Sequence, residues 1–295
     1  MQMNGASSET VRDLNRRAFL RGLSVMAMPM ALSAIGDEPP GIDLEDREQL
    51  LTAYMRLAGS LDDRLIIWWM DGMRYGVVDA NVTLLFGMKV GMFHRFFRQA
   101  DGSFKLAMFE LTYYTDRETG ELLETFDNPY TGETNPVQHV RLGPEIRRHT
   151  GNGIARPDNP LVKSFTSTLG PALIRDDDIW IPIDVQATIE FPKPTAPSIV
   201  LNHYTTVHGR LRDAVNPALD SAPCELNFQN VLKWEPFMRM NAHPGHMMSR
   251  AAGRKLESVE ELPADYLAMA ERMHGRYIAD PIKTLEKLTD QLRTT

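Results

Sequence analysis

Between residues 64 and 234, apolar side chains recur at alternate positions, the spacing of β-strands whose two faces meet different surroundings. The stretches "RLIIWWMDGMRYGVVD" and "TLLFGMKVGMFHRFF" are dense in aliphatic and aromatic residues on both faces, which predicts strands covered on both sides. "FKLAMFELTYYTD" continues the pattern, followed by the turn "RETGE", the short "LLETFDNP", the turn "YTGE" and "TNPVQHV". Two Thr-Gly-Glu turns so close together predict an antiparallel meander, because parallel pairing needs a long crossover. Residues 143–162, rich in Gly, Pro and Asn, are expected as a connection. The clearest alternation is "IWIPIDVQATIEF". It places Ile179, Ile181, Ile183, Val185, Ala187, Ile189 and Phe191 on one face, and Asp184, Gln186, Thr188 and Glu190 on the other. "SIVLNHYTTVHGRLRDAV" and "CELNFQNVLKWEPFM" extend the same style.

The period changes at both ends. Leu44, Leu51, Tyr54, Met55 and Leu57 fall at helical spacing before Gly59, predicting a helix over 44–59. A second helix is predicted over Pro263–Met273. Asp280-Pro281, a cap followed by a first-turn proline, opens a third that runs to about Arg293. Long antiparallel strands with helices only at the ends predict a mainly β protein. Its expected form is a closed antiparallel β-barrel, lipocalin-like in style, with peripheral helices at both ends. Closure removes sheet edges, and a barrel of this size holds one small ligand. The expected organisation is a leader over 1–36, a linker and helix over 37–63, the barrel over 64–240, and a C-terminal loop with helices packed on the barrel over 241–295.

The leader is read from "NRRAFLR", residues 15–21, and the apolar run from Gly22 to Ile35. That run is shorter than the about twenty residues a spanning helix needs, and it suits the apolar core of a signal peptide. Arg16, Arg17, Phe19, Leu20 and Arg21 fit the twin-arginine export pattern, and Ala31-Leu32-Ser33 is an acceptable cleavage triplet. The expectation is engagement with the twin-arginine export machinery and a periplasmic location. The apolar fraction of 43% and charged fraction of 24% are those of an ordinary globule. A net charge of −7, with no basic helix or Lys/Arg run interleaved with aromatics, argues against a nucleic-acid partner. The single cysteine, Cys224, rules out an internal disulfide and reads as a buried, inert thiol. Neither a glycine-rich phosphate loop nor a Gly-x-Ser-x-Gly elbow occurs.

An ordered series of phrases resembles the bacterial domain-of-unknown-function 1838 family. The series comprises "GMKVGMFHR", Glu110 with Tyr114 and Asp116, "TGE", "NPYTGE" and "PVQHV", then "WEPFMRM" and "GRKL". The resemblance covers roughly residues 60 to 260. It implies a twin-arginine leader, which agrees with the N-terminal phrase. It also implies an association with cofactor-independent lyases that release formaldehyde from lignin-derived aromatic dimers.

Burying an unpaired polar group is costly, so a polar residue inside an apolar strand row demands a reason. His94 shares a face with Phe86, Met88, Val90, Met92 and Phe96. Glu110 and Tyr114 share one with Phe104, Leu106 and Met108. His203 falls with Ile199, Leu201 and Val207, and Asn230 with Leu226, Phe228, Leu232 and Trp234. If these faces line one interior, His94, Glu110, Tyr114, His203 and Asn230 converge in a pocket walled by Met88, Met92 and Trp234, the composition of a small-molecule site. A desolvated His or Glu there would serve as general base and Tyr114 as proton donor. The competing reading is a set of core polar groups satisfied by neighbouring backbone. Asp71 and Arg74 flank Gly72, where a broken strand suggests a bulge with a rim salt bridge, or a pair that orients an anionic or phenolic group. His243 and His246 in "HPGH" could meet one ion but lack evident third and fourth ligands, so neither metal nor cofactor is expected.

These readings give, first, an exported cofactor-independent enzyme acting on a bulky aromatic or apolar small molecule by acid–base chemistry, in the manner of a C–C lyase. A non-catalytic periplasmic binding or carrier protein is the second, and a metal-dependent hydrolase the third. The oligomeric state stays open, a homodimer included.

Overall fold

A computed structural model describes residues 43–190 and 198–293, so the leader expected over 1–36 lies outside the described residues, as does Phe191. Three long strands, β1 (Leu65–Val78), β2 (Asn81–Arg98) and β3 (Phe104–Thr115), pair as successive hairpins. β4 (Thr125–Asp127) and β5 (Thr134–Pro136) pair only with each other, as a small separate sheet. The chain then returns to β3 as β6 (Val140–Thr150) and turns into the short β7 (Gly153–Ile154). β8 (Val162–Leu169), β9 (Leu173–Arg175), β10 (Asp178–Ile189), β11 (Ile199–Arg210), β12 (Glu225–Leu232) and β13 (His246–Leu256) complete the strands, with a short helix α2 (Leu211–Ala214) after β11. The order in the large sheet is β7-β6-β3-β2-β1-β13-β12-β11-β10-β8, with β9 also on β10.

The two ends of that path come together. The Leu169 N–H donates to the Asn152 carbonyl at 3.1 Å, and the Ile154 N–H donates to Ser167 Oγ at 3.0 Å. β7 and β8 thus meet through single bonds rather than a full ladder, and the antiparallel sheet forms a nearly closed barrel. The expected mainly β, barrel-like class with helices at both ends is the observed one.

The dense hydrophobicity of β1–β3 follows from burial on both faces. Inward, Trp68, Met70, Met88, Val90, Leu106 and Met108 form part of the barrel core. Outward, Ile67, Trp69, Phe93, Phe109, Leu111 and Tyr113 pack beneath helices α3 (Ala264–Ile278) and α4 (Pro281–Arg293). Tyr266 on α3 fits where Gly91 has no Cβ, and its hydroxyl donates to the Leu111 carbonyl at 3.0 Å. In β10, Ile179, Ile181 and Ile183 are buried while Gln186 is exposed, the alternation of a sheet with one wet face.

Each end of the barrel is covered. Helix α1 (Arg47–Ala58), capped by Asp46 accepting from the Glu48 and Gln49 N–H groups at 2.9 Å, plugs one end. Leu50, Met55 and Leu57 on it have no exposed surface. The helix is fixed by Trp68 Nε1 donating to the Ala58 carbonyl (2.7 Å) and by Lys255 Nζ donating to the Arg56 and Gly59 carbonyls (2.8 and 2.9 Å). At the other end, Phe126 of the β4–β5 hairpin and Phe237 of a short 3-10 turn (Pro236–Met238) pack on Phe86, with ring centroids 5.2 and 6.0 Å away. Asn128 Nδ2 ties the two covers together by donating to the Met238 carbonyl at 2.7 Å.

Several expectations change. The connection expected over 143–162 contains most of β6 and all of β7; β6 turns Arg147 and His149 toward the barrel and leaves Ile146 exposed, an inversion of the usual pattern. Residues 246–256, expected in the C-terminal loop, form β13, a central strand between β1 and β12. After Met247, its inward positions are the small Ser249, Ala251 and Gly253, so no apolar row announces it. Gly253 is required by proximity, because a Cβ there would overlap the Trp69 carbonyl. Gly72 does not break β1: the shift in register falls between Arg74 and Tyr75. The expected meander also divides, since β4 and β5 leave the large sheet.

If α1 is an integral plug, Leu57→Ala should lower stability by about 2–5 kcal/mol, the cost of a core cavity, measured by urea denaturation. A loss under about 1 kcal/mol would make the helix an appendage to a barrel that stands without it.

Candidate functional site

The register sets one polar belt across the inner face. Arg74 on β1 lies directly opposite Phe86 on β2 and Ser249 on β13. Ser249 lies opposite Asn230 on β12, and Asn230 opposite His203 on β11. Directly opposed residues have Cβ atoms about 5 Å apart, so Arg74, Ser249, Asn230 and His203 form a continuous lateral row. Arg74 and Asn230 are buried, and Ser249 has no exposed surface. Arg74 Nε and NH1, Asn230 Oδ1 and Ser249 Oγ have no protein hydrogen-bond partner.

Beside the belt, the Tyr114 hydroxyl donates to Glu235 Oε1 at 2.7 Å. Arg74 NH2 lies 3.4 Å from that hydroxyl and 3.8 Å from the same carboxylate oxygen. Burial drives the Tyr114 pKa far above its ordinary value, so the phenol keeps its proton and gives it to Glu235 as a hydrogen bond.

A second polar group lies toward the α1 end. His94 sits opposite Ile66 and Met108, and His149 opposite Phe104. The Phe96 ring lies edge-on to both imidazoles, at 5.7 and 6.0 Å, and Tyr54 of α1 stacks on His149 at 6.1 Å. Neither ring nitrogen of either histidine has a protein partner. Desolvation, with the Arg147 guanidinium nearby, lowers both pKa values to about 3. His203 falls to about 4, chiefly by desolvation, with Arg147 and Arg74 adding to it. Three imidazoles are therefore held neutral around one space.

That space is a cavity of about 290 Å³ inside the barrel, at the small end of ligand pockets. Glu110 lies on its wall opposite Met92, with Oε1 accepting from the Thr112 hydroxyl at 2.7 Å. From Ile66, opposite His94, to Arg74 is eight residues, or about 26 Å of strand, shortened along the chamber by strand tilt. The chamber is thus long and narrow. Partly buried Val140, Leu142, Arg147, Val185 and Leu201 line the side where β6 and β7 approach β8, β10 and β11.

Of the residues singled out by sequence, His94, Glu110, His203, Asn230, Arg74, Met88 and Met92 line this one chamber. Tyr114 belongs to the belt end through Arg74. Trp234 does not line the chamber; it packs on Tyr130 and His243 with centroids 5.2 and 6.5 Å away. Asp71 points outward, where Lys89 Nζ bridges it (3.1 Å) and Asp265 of α3 (2.8 Å). Asp71 and Arg74 are three apart in a strand, hence on opposite faces, so the expected rim pair does not form. Arg147, His149, Thr112 and Glu235 were missed. The first two lie in the stretch read as a connection, Thr112 reads as an ordinary strand residue, and Glu235 follows β12 without any periodic signal.

Cys224 is buried, with its pKa raised to about 12 mainly by desolvation, consistent with an inert thiol. Among the described residues no three His, Cys, Asp or Glu side chains gather as a metal-ligand set, so His243 and His246 gain no further ligands. A family profile described as "Protein of unknown function (DUF1838)" matches residues 62–290. No curated protein and no solved structure matches the chain.

The neutral imidazoles make stability depend on pH with a definite sign. Their folded pKa values, about 3 to 4, lie below the unfolded value of about 6.5. The unfolded chain therefore takes up protons first, and stability that is complete above about pH 6.5 is lost as pH falls toward the folded values. The cost at pH 5 is on the order of 2 kcal/mol per imidazole. Urea midpoints measured from pH 7.5 to 5 should decline, and His94→Phe should make that decline shallower. Equal slopes in variant and wild type would contradict a desolvated His94.

Proposed function

The chain belongs to the DUF1838 family of proteins of unknown function, and we propose that its barrel is the reaction chamber of an enzyme. The substrate is an elongated, largely apolar aromatic molecule, and the chemistry is acid–base chemistry carried out by the chain's own side chains. One observation carries this reading: a narrow apolar chamber in which Glu110 and three neutral imidazoles face the same space. Purely structural polar groups in a core are paired, whereas the ring nitrogens of His94 and His149 have no protein partner. A ligand with hydroxyl or ether oxygens would supply partners along its length.

The reaction type proposed is a C–C lyase. Imidazoles with pKa values near 3 accept protons poorly, so the base is Glu110, whose Oε1 is oriented by Thr112. For a two-ring aryl ether whose ether carbon adjoins a carbon bearing a CH2OH group, Glu110 removes the hydroxyl proton and the bond from that carbon to CH2OH breaks, releasing formaldehyde. The electron pair forms a C=C bond and expels the aryl oxygen as a phenolate, which then takes up a proton. Atoms and electrons balance without oxidant or reductant. A lignin-derived dimer of this connectivity is the substrate proposed, within the class the family resemblance implies, and the length of the chamber suits two rings in line. The twin-arginine phrase at residues 15–21 supports a periplasmic site of action.

Glu110→Gln should reduce turnover of such a dimer, followed as formaldehyde release, by about 10²–10⁴-fold, with affinity changed no more than about threefold. Undiminished turnover in the variant would remove Glu110 as the base. Saturable binding without product in the wild type would favour a carrier.

A further inference from the structure

We infer that the Arg74 end of the chamber recognises an oxyanion, a carboxylate or a phenolate, borne on one end of the aromatic ligand. The inference rests on the small-molecule reading above and adds a substrate class to it.

Arg74 is 6% exposed, yet two of its three guanidinium nitrogens, Nε and NH1, have no protein acceptor. The third, NH2, makes only long contacts, 3.4 Å to the Tyr114 hydroxyl and 3.8 Å to Glu235 Oε1. Glu235 Oε1 accepts from Tyr114 at 2.7 Å, and at 3.8 Å it lies beyond hydrogen-bond reach of Arg74. The carboxylate offsets the charge of Arg74 at a distance while its planar array of donors stays open. A buried cation with unmet donors is costly, and the group that best meets guanidinium geometry is a planar oxyanion.

The neighbours fit the same guest. Ser249 Oγ and Asn230 Oδ1, next in the belt, also lack protein partners. The serine hydroxyl can donate to an oxyanion, and the amide oxygen can accept from a hydroxyl beside it on the ring. His203, opposite Asn230 and held neutral, ends the row without adding a second positive charge. Met88, opposite Tyr114 on the adjacent strand, offers an apolar flank for the ring that bears the oxyanion. Within the proposed reaction this end would receive the expelled phenolate, and in a product it would hold a ring carboxylate equally well.

The test uses the full chain and two matched pairs of probes, cinnamate with methyl cinnamate and 4-hydroxy-3-nitrostilbene, a phenol ionised at pH 8, with 4-methoxy-3-nitrostilbene, each titrated calorimetrically at pH 8. At least one acidic probe should bind about tenfold or more tighter than its neutral partner, the gain expected of charge-assisted hydrogen bonds. The pair that shows the gain distinguishes carboxylate from phenolate. Arg74→Met should bring that pair close to parity. Ser249→Ala, near-isosteric and removing a hydroxyl that has no protein partner, should cut the preference several-fold in a protein that folds even if the arginine variant does not. Parity in the wild type, or a preference kept by both variants, would overturn the oxyanion site while binding of the neutral stilbene left the chamber reading intact. If no probe binds at all, both readings fall.

Discussion

The inside of a closed sheet cannot be wetted freely, so every polar group turned inward must find a partner in the protein or in what the barrel contains. Most proteins of this architecture meet that constraint by filling the interior with apolar side chains. Here the plug helix, the aromatic cover and the double-faced burial of β1–β3 build an apolar shell, and polar side chains are then set into its inner wall. Arg74, His94, His149, Asn230 and Ser249 all carry buried polar atoms without a protein partner. Stability alone does not select such groups, since apolar residues of like volume would cost less. A cluster of such groups facing one cavity is where function is expected.

The shell and the polar wall depend on each other. Desolvation keeps His94, His149 and His203 neutral, and Arg74 is the more deeply buried of the two arginines facing the space. The small inward residues of β13 leave room beside Arg74 that bulkier ones would fill. Lys255, in contrast, spends its donors on the Arg56 and Gly59 carbonyls and on Ser221 Oγ (2.9 Å), clamping α1 to the barrel. Arg74 and Lys255 thus do different work, and the difference lies in whether their donors are met.

Strand alternation made much of this legible. A lone polar residue in an apolar row marked His94, Glu110, His203 and Asn230, and the register brings all four to one chamber. The same logic failed where the inner face is itself polar. β6 carries Arg147 and His149 inward and Ile146 outward, so its alternation reads backwards and its Gly-Pro start suggests a loop. β13 escapes the pattern because beyond Met247 its inner face is small rather than apolar. Asp71 was grouped with Arg74 by proximity in sequence, although strand parity separates them onto opposite faces. Glu235 belongs to no periodic element, and only the fold brings it to Tyr114.

The central claim is that the inward polar groups are dry, neutral where they are imidazoles, and matched to one guest. Histidine ring ¹⁵N NMR of the full chain tests it most directly, with spectra taken from pH 7.5 to 5 and then with 4-hydroxystilbene added. The prediction is that His94, His149 and His203 stay neutral throughout, and that their ring signals shift together and saturate at one ligand per chain. Ordinary titration near pH 6.5, or rings that ignore the ligand, would contradict it.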